Sequence, residues 1–369
     1  MRIIFTGGGT AGHVNPALAI AEEIKKREKN SEILFIGREG GSENRAVIDS
    51  GIDISYLKVR GIQRKLTRKN FESLVLAIKA KAEAGKIIDK FKPDIIVGTG
   101  GYVCWPVIKA GQKRNIPTVI HESNISAGLT TRLLSKKCDA VLLNHEGTRE
   151  YLSKKHNTWV VGNPLRSDFS SLKRELARKE LTLGDKDILI VSFGGSIGAE
   201  KLNSAVLSLM KNYSAKVHNI KHIHATGIRY YQTVSESQFK AGTAGCKIVP
   251  YIDNMPTLLR AADIVISRCG AMTLSELALV GACAILVPSP NVTDNHQYKN
   301  ARYLSDAGAA ILLTEDVLNE NSLTENVRIL CESKEARKKL SICIERFAIK
   351  NSREEIYKIL LKTLNKKSS

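Results

Sequence analysis

Residues 263–297 combine, at close spacing, the groups needed to hold a phosphorylated ligand. Residues 264–266 are β-branched and predict a buried parallel strand, which Gly270 ends. Thr273 or Ser275 can then cap a helix. A helix that begins just beyond the carboxyl end of a strand points backbone N–H groups into the crevice there. The stretch therefore predicts an anion-binding site.

Glu276, on the predicted helix, bears on the kind of anion that this site would take. A carboxylate is out of place beside a phosphate alone, but it suits a ligand that also carries neighbouring hydroxyl groups, such as a ribose diol. The combination favours a nucleotide, with phosphate and sugar held side by side. The alternative is that Glu276 only stabilises the helix N-terminus through its charge. The spacing alone leaves both interpretations open.

A glycine-rich turn, residues 7–12, follows the first predicted strand and would let a ligand approach the backbone closely. Glycines at its first, third and sixth positions also match the dinucleotide-binding fingerprint. Asn15 and Pro16, however, predict a helix that starts only at Pro16. The second predicted strand, residues 32–36, is also followed by Gly37-Arg38 rather than by an acidic residue. Both features argue against a NAD site.

Strands and helices alternate along the chain, which predicts a doubly wound parallel α/β fold. The series restarts after a turn near Gly162, so we expect two Rossmann-like domains, the second opening with one charged helix at about 168–181. The predicted ranges are 1–163 for an N-terminal domain, 164–345 for a C-terminal domain, and 346–369 for a terminal helix that packs back on the first domain.

Two further glycine turns, residues 98–101 and 194–198, also follow predicted strands. Ligands of doubly wound sheets bind beyond the carboxyl ends of the strands, so a cleft between the two domains is expected to collect all three turns. No convincing Asp-x-Asp metal motif accompanies them, because residues 185–187 fall in a predicted turn before a strand.

The composition limits the class of protein. Its 369 residues are ample for two domains, and 43% hydrophobic content is typical of a globular chain. The longest apolar run, residues 277–287, is about half of the ~20 residues that a membrane helix needs. Seven cysteines without CxxC spacing argue for reduced thiols and against a zinc site. The net charge of +19 predicts an anionic partner: nucleic acid, an acidic membrane surface or a polyphosphate ligand.

Short motifs are distributed from the first strand to about Ala310. They are the glycine loop with His13, Gly100-Gly101-Tyr102-Val103, the segment HESNISAG at 121–128, Gly162-Asn163-Pro164-Leu165-Arg166, Gly194-Gly195-Ser196, Ile252-Asp253-Asn254-Met255, residues 268–276, and Gln297-Tyr298. As a set they closely resemble the bacterial peptidoglycan glycosyltransferases of the MurG family, which add N-acetylglucosamine to undecaprenyl-pyrophosphoryl-muramoyl-pentapeptide. Ala11, Ser123 and Cys104-Trp105 depart from the family's usual residues.

The resemblance implies a GT-B fold and an inverting hexosyltransferase that needs no metal ion or cofactor. The donor would be UDP-N-acetylglucosamine, bound by the C-terminal domain, and the acceptor would be the lipid-linked muramoyl pentapeptide, lipid I. Its implied donor contacts are the backbone of Ile252 at the uracil, Glu276 at the ribose hydroxyls, and Gln297 at the sugar. The other implied substrate-binding residues are Thr10, Ala11, Gly12, Asn124, Arg166, Ser196, Ala271, Met272, Thr273, Leu274 and Ser275.

An inverting transfer needs a base for the acceptor hydroxyl and stabilisation for the departing diphosphate. His13 is the expected base, because an ordinary histidine titrates near neutral pH. The alternative is that His13 only binds the acceptor diphosphate or orders its loop. Glu122 is the reserve candidate for the base. The remaining histidines are expected to be structural or exposed.

The lipid tail of such an acceptor stays in a bilayer, so the enzyme is expected at the cytoplasmic face of an anionic plasma membrane, as a peripheral protein. The basic segment 60–69 and the helix bearing Phe71, Leu74, Val75 and Ile78 form the proposed contact surface. The alternative is that these apolar side chains pack into the core.

Three other functions remain as rivals. One is a related lipid glycosyltransferase acting on diacylglycerol, which the segment 121–128 together with the loop 7–12 disfavours. Another is a non-catalytic protein that binds nucleotide sugars or nucleic acid; an aromatic content of 5% and no recognised nucleic-acid module argue against nucleic acid as a partner. The third is a NAD-dependent oxidoreductase.

Overall fold

The computed structural model describes residues 1–41, 44–61, 68–153, 157–237 and 245–368. The chain forms two compact units: Met1–Arg166 together with Asn351–Ser369, and Ser167–Lys350. Within the described ranges, no helix is long and apolar enough to cross a membrane.

The first unit contains a parallel sheet in the strand order β3-β2-β1-β4-β5-β6-β7. Its strands are β1 (Arg2–Thr6), β2 (Glu32–Arg38), β3 (Asp53–Leu57), β4 (Ile95–Gly98), β5 (Thr118–Glu122), β6 (Ala140–Leu143) and β7 (Thr158–Val160). The helices between them are α1 (Ala11–Arg27), α2 (Asn44–Asp49), α3 (Arg68–Phe91), α4 (Cys104–Lys113) and α5 (Leu129–Leu134), with a 3-10 turn at Glu146–Tyr151.

The second unit contains a parallel sheet in the strand order β10-β9-β8-β11-β12-β13. Its strands are β8 (Ile188–Phe193), β9 (Ile220–Ala225), β10 (Cys246–Val249), β11 (Ile264–Ser267), β12 (Ala284–Leu286) and β13 (Ile311–Leu312). Its helices are α6 (Asp168–Ser171), α7 (Arg174–Glu180), α8 (Glu200–Asn212), α9 (Tyr231–Ser237), α10 (Met255–Ala261), α11 (Ala271–Val280), α12 (His296–Asp306), α13 (Glu320–Glu332) and α14 (Lys334–Glu345), with 3-10 turns at Ser214–Lys216 and Thr293–Asn295.

Both faces of each sheet are covered by helices, as the near-continuous apolar strands require. In β1, Ile3 and Phe5 pack into one core layer and Ile4 into the other, because successive strand residues point to opposite faces. In β8, Ile190 and Val191 divide in the same way between two layers.

The last helix, α15 (Ser352–Ser368), belongs to the first unit. Ile356 and Leu360 are fully buried in the layer that also holds Ile20 and Ile24 of α1. The Tyr357 hydroxyl donates to Glu28 Oε1 at 2.7 Å. The helix therefore completes the core of the unit in which the chain began.

Helix α1 begins at Ala11, not at Pro16, so the predicted start was wrong. Pro16 lies inside the helix, where its missing N–H leaves only the Gly12 carbonyl without its usual partner. The next carbonyl, that of His13, accepts a hydrogen bond from Thr99 Oγ1 at 2.6 Å. The helix thus starts inside the glycine run, and the delayed start no longer argues against a dinucleotide site.

The single charged helix expected at 168–181 is also wrong, because α6 and α7 are separated by extended backbone at Leu172 and Lys173. The break is held from outside the segment. Arg174, at the start of α7, donates to the Ala262 carbonyl at 2.6 Å and pairs with Asp263 at 2.7 Å. Such long-range anchors are not visible in local helix propensity.

Candidate active site

In the second unit, the N-terminus of α11 lies directly after β11. Gly270 is its N-cap, with φ −62° and ψ 140°, so the predicted capping by Thr273 or Ser275 was wrong. The Leu274 N–H donates to the Gly270 carbonyl at 3.0 Å and is the first to bond back along the helix. Helix geometry directs the preceding N–H groups, of residues 271–273, outward from the helix end. This is the arrangement that binds anions.

The residues of that first turn contribute through their backbone. Ala271 and Met272 are only 8% and 7% exposed, so their side chains belong to the protein interior. Leu274 is also buried in the core, and its N–H is used by the helix. The structure therefore provides no exposed group of Leu274 for the ligand contact predicted for it. Thr273 and Ser275 are partly exposed.

Glu276 lies one turn further along α11 and is partly exposed. Loss of solvation and the neighbouring charge of Asp168 raise the pKa of Glu276 to about 7. Within the described ranges, Glu276 receives no hydrogen bond from the protein. A carboxylate in this state gains stability from any ligand that donates hydrogen bonds to it, as a ribose diol does.

Gln297 lies in the first turn of α12, and its amide orientation is fixed by the backbone around it. Its Oε1 accepts hydrogen bonds from the N–H of Ser289 at 2.9 Å and of Cys269 at 3.3 Å. Because these bonds fix the amide oxygen, the amide nitrogen Nε2 points away from them. Nε2 donates to no protein atom in the ranges that the structure describes. Gln297 can therefore offer a ligand two N–H donors.

The turn at 194–198 is held against the loop that follows β9. Gly198 has φ +90°, and a Cβ there would lie 2.1 Å from the Thr226 carbonyl oxygen, so only glycine fits. The Ile228 N–H donates to the Ser196 carbonyl at 3.3 Å, while Ser196 itself is exposed. Ile252 is 5% exposed, which restricts it to a backbone role.

In the first unit, His13 joins two glycine turns. Its Nδ1 lies 3.0 Å from the Gly8 carbonyl oxygen and 3.4 Å from Thr10 Oγ1. Its ring lies on Gly100, where a Cβ would be 2.5 Å from His13 Cδ2. A carbonyl oxygen only accepts, so Nδ1 carries the hydrogen, and the lone pair of the neutral ring lies on Nε2.

Cys104 supports the second glycine turn, residues 98–101, through its thiol group. Its buried Sγ lies 3.3 Å from the Gly100 N–H, 3.0 Å from the Gly100 carbonyl and 3.1 Å from the Thr6 carbonyl. Burial raises the pKa of this thiol to about 12, so it remains protonated and can donate to the carbonyls. The Cys104 noted as unusual in the sequence thus supports the turn under His13.

Glu122, at the end of β5, is buried and accepts four hydrogen bonds. Oε1 accepts from the backbone N–H and from Nδ2 of Asn124, both at 3.1 Å. Oε2 accepts from the Gly128 N–H at 2.9 Å and from Thr131 Oγ1 at 2.6 Å. These contacts fix the loop 123–128 and favour a structural role for Glu122 over that of reserve base.

Arg166 is exposed at the end of the first unit, and Thr10 and Gly12 are exposed or partly exposed in the first glycine turn. Ala11 begins α1. The structure places the predicted residues of the first unit around two glycine turns and one loop, and those of the second unit around α11, α12 and the third turn.

The other described histidines include four that are fully or largely buried. His121 Nε2 lies 3.0 Å from the Gly162 carbonyl, and burial lowers the pKa of His121. Ser192 Oγ lies 2.9 Å from both His222 Nε2 and His224 Nδ1. Burial lowers the pKa of His224 to about 4, and burial also lowers the pKa of His222 well below its ordinary value. His145 likewise has its pKa lowered to about 4 by burial.

No group of three or more His, Cys, Asp or Glu side chains suited to a metal ion occurs in the part of the chain that the structure describes. Each of the two Rossmann-like units presents its own set of polar groups. One has a helix N-terminus, a carboxylate and an oriented amide, and the other has glycine turns with an oriented imidazole. This fold and these groups are suited to an enzyme that binds a phosphorylated nucleotide ligand.

Comparison with known proteins identifies the family. Residues 3–143 match the glycosyltransferase family 28 N-terminal domain, and residues 189–356 match its C-terminal domain. A relative from Acetivibrio thermocellus is 40% identical over 369 residues, covering 100% of both chains. One from Thermoanaerobacter sp. is 38% identical over 364 residues, covering 98% of this chain and 99% of the relative.

Both relatives are named UDP-N-acetylglucosamine–N-acetylmuramyl-(pentapeptide) pyrophosphoryl-undecaprenol N-acetylglucosamine transferase. This chain belongs to that family of glycosyltransferases, and the resemblance predicted from its motifs is confirmed.

Solved structures agree on the fold. MurG of Acinetobacter baumannii superposes with a TM-score of 0.75 at 26% identity, covering 98% of this chain and 99% of its own. A UDP-GlcNAc 2-epimerase from Neisseria meningitidis, solved with UDP-GlcNAc bound, has a TM-score of 0.69 at 15% identity and covers 98% of this chain and 100% of its own. The latter likeness concerns the fold alone. The predicted GT-B fold is confirmed.

Proposed function

We propose that this chain transfers N-acetylglucosamine from UDP-N-acetylglucosamine to undecaprenyl-pyrophosphoryl-N-acetylmuramoyl-pentapeptide, lipid I, with inversion at the anomeric carbon. The product is lipid II, so the reaction belongs to peptidoglycan synthesis. Full-length relatives bear the name of this reaction. The geometry that carries the proposal is the group around α11, where first-turn amides, an unbonded carboxylate and an oriented donor amide match the diphosphate, ribose and hexose of the donor.

Each part of the donor has a matching group in the second unit. The diphosphate lies at the N–H groups of Ala271, Met272 and Thr273, where the helix dipole also favours negative charge. The ribose hydroxyls donate to Glu276, which receives no other hydrogen bond from the described protein. Gln297 Nε2 donates to hydroxyl oxygens of the sugar, since its Oε1 is already engaged.

Two further contacts of the second unit complete the donor assignment. The uracil meets the backbone at Ile252, whose side chain is buried. Ser196, exposed on the third glycine turn, adds a hydroxyl group for the diphosphate. In the departing UDP, negative charge grows on the β-phosphate, and pre-oriented N–H groups stabilise that charge without reorganisation.

In the first unit, the turns 7–12 and 98–101 provide the site for the acceptor pyrophosphate, with Thr10, Ala11, Gly12 and Asn124 beside it. His13 is the base. The Gly8 carbonyl keeps the hydrogen on Nδ1, so Nε2 takes the proton of the attacking hydroxyl as the new glycosidic bond forms. Glu122 positions Asn124 and its loop rather than accepting that proton.

The acceptor's lipid requires contact with the cytoplasmic face of an anionic membrane, and the proposed surface is residues 60–69 with the first part of α3. Residues 62–67 lie outside the described ranges, as do the side chains of Phe71 and Leu74. Val75 and Ile78 are 37% and 59% exposed, which contradicts the alternative that these two pack into the core. Two exposed apolar side chains on a lysine-rich helix suit an interfacial surface.

Transfer of labelled N-acetylglucosamine from UDP-N-acetylglucosamine to a soluble lipid I analogue tests the proposal directly. The expected product carries one added hexosamine in a β linkage, and UDP is released in equal amount. Absence of transfer with an acceptor that is accepted by the relative from Acetivibrio thermocellus, together with absence of UDP binding by calorimetry, would refute it. Transfer to diacylglycerol instead would favour the rival lipid glycosyltransferase.

A further inference from the structure

Arg268 follows β11 and links the carboxyl ends of three adjacent strands. Its Nη1 donates to the Val287 carbonyl at 3.2 Å and to the Pro288 carbonyl at 3.0 Å, just after β12. Its Nη2 pairs with Glu315, just after β13. The Arg268 and Glu315 side chains are 11% and 18% exposed, so the pair is largely removed from solvent.

Gln297 contacts the same segment one residue further along the chain, at the N–H of Ser289. Gln297 Oε1 accepts from Ser289, which follows Pro288 directly, and from Cys269, which follows Arg268 directly. The two N–H groups that orient the Gln297 amide therefore lie next to Arg268 itself and next to a carbonyl that Arg268 binds. If the segment 287–289 moved, the amide oxygen would lose its shorter contact, and the side chain could rotate to present oxygen instead of nitrogen to a ligand.

We propose that Arg268 and Glu315 are positioning residues that set sugar specificity by holding the segment 287–289 against Gln297, so that Gln297 presents only N–H donors to the hexose. The proposal rests on the assignment of UDP-N-acetylglucosamine as donor. It adds two residues, outside the predicted contacts, that act on the sugar through Gln297 and leave the nucleotide contacts of α11 unchanged.

Arginine is needed because two carbonyls and one carboxylate are bound at once. Its planar fork provides five donors in fixed directions, whereas lysine offers one flexible ammonium. Removing Arg268 leaves Glu315 largely buried without its partner, which is costly. Glu315→Gln retains an acceptor for Nη2 while removing the charge, and therefore weakens the clamp with less disturbance.

The test compares nucleotide and sugar recognition in the full-length protein. We expect Arg268→Lys and Glu315→Gln to change the Kd for UDP by less than about twofold, because UDP lacks the sugar. The KM for UDP-N-acetylglucosamine should rise about fivefold to tenfold, because the sugar loses the hydrogen bond from a correctly oriented Gln297 Nε2. Discrimination against UDP-N-acetylgalactosamine in kcat/KM should fall by a similar factor. Arg302→Ala, which removes an exposed ion pair with Asp306 on the same helix as Gln297, is the matched control and should change none of these values.

A double-mutant cycle separates positioning from a general structural role. In a Gln297→Ala background, Arg268→Lys should have almost no further effect on KM or on discrimination, because the group that it orients is gone. Full additivity, or an equal loss of affinity for UDP and UDP-N-acetylglucosamine, would overturn the proposal. If Arg268→Lys fails to fold, the cycle with Glu315→Gln decides in the same way. A wild-type protein that does not bind UDP would instead refute the assigned function.

Discussion

Replacing His13 separates the two roles that its position allows. In one role, His13 is the base that takes the acceptor's proton at Nε2. In the other, it only holds the first glycine turn through the hydrogen bond from Nδ1 to the Gly8 carbonyl, 3.0 Å long. Asparagine at this position keeps an N–H donor at about the place of Nδ1 and has no base. Alanine removes both groups.

The structure fixes the expected magnitudes. A single neutral hydrogen bond contributes about 1 kcal/mol, so loss of the anchor alone lowers turnover by about fivefold. Loss of a positioned base lowers it by roughly 10²–10⁴-fold. We therefore expect His13→Asn and His13→Ala both to lose at least ~10²-fold in kcat, with His13→Ala somewhat worse. The Kd for UDP should stay near the wild-type value, since the donor groups lie in the second unit.

The assay is single-turnover transfer of labelled N-acetylglucosamine to a soluble lipid I analogue, at several pH values. The wild-type rate should rise with pH as the base loses its proton, and this acid limb should be absent from His13→Asn. Near-normal turnover in His13→Asn, together with a loss of only a few-fold in His13→Ala, would refute the role of His13 as base. It would show instead that His13 only holds the first glycine turn in place.

Three further outcomes are expected. Glu276→Gln should stabilise the free protein at pH 8 by roughly 1–3 kcal/mol, because a carboxyl group with its pKa raised to about 7 destabilises the fold once it is ionised. Thermal melting should show that this gain in stability shrinks as the pH falls from 7 towards 4.5, and a gain that stays constant would contradict the prediction. His224 is buried and neutral, with its pKa lowered to about 4, so it contributes stability at neutral pH that is lost as the pH falls from 6.5 to 4. His224→Gln should therefore reduce the loss of the free energy of unfolding at acid pH, measured by urea denaturation, by up to about 3 kcal/mol. An unchanged loss would count against this assignment. Charge reversal at Arg64, Lys65 and Arg68 should weaken co-sedimentation with anionic vesicles by about 1 kcal/mol per charge, and unchanged binding would show that the surface lies elsewhere.

The sequence predicted the elements well where local signals are strong. Residues 264–266 were predicted as a buried parallel strand, and they lie within β11, Ile264–Ser267. Their apolar, β-branched character and flanking turn residues explain this success. The family and the function class also followed from short motifs, because chemistry restricts the residue types there.

The predictions failed where long-range contacts override local preference. Pro16 predicted the start of α1, but the helix begins at Ala11, and Thr99 of the second glycine turn donates to the His13 carbonyl in its first turn. Capping preference favoured Thr273 or Ser275, whereas Gly270 begins α11 directly after β11. The four hydrogen bonds to Glu122 come from two backbone and two side-chain donors, and the orientation of Gln297 depends on two backbone N–H groups. No spacing rule locates these donors in the sequence.

The return of α15 to the first unit has a consequence for biosynthesis. Residues 167–350 form an uninterrupted stretch and can fold as soon as they leave the ribosome, whereas the earlier-made sheet of residues 2–160 lacks Ile356 and Leu360 until α15 has been translated. The first unit is thus completed after the second, and its uncovered face of α1 is the place where a nascent chain would need protection from aggregation.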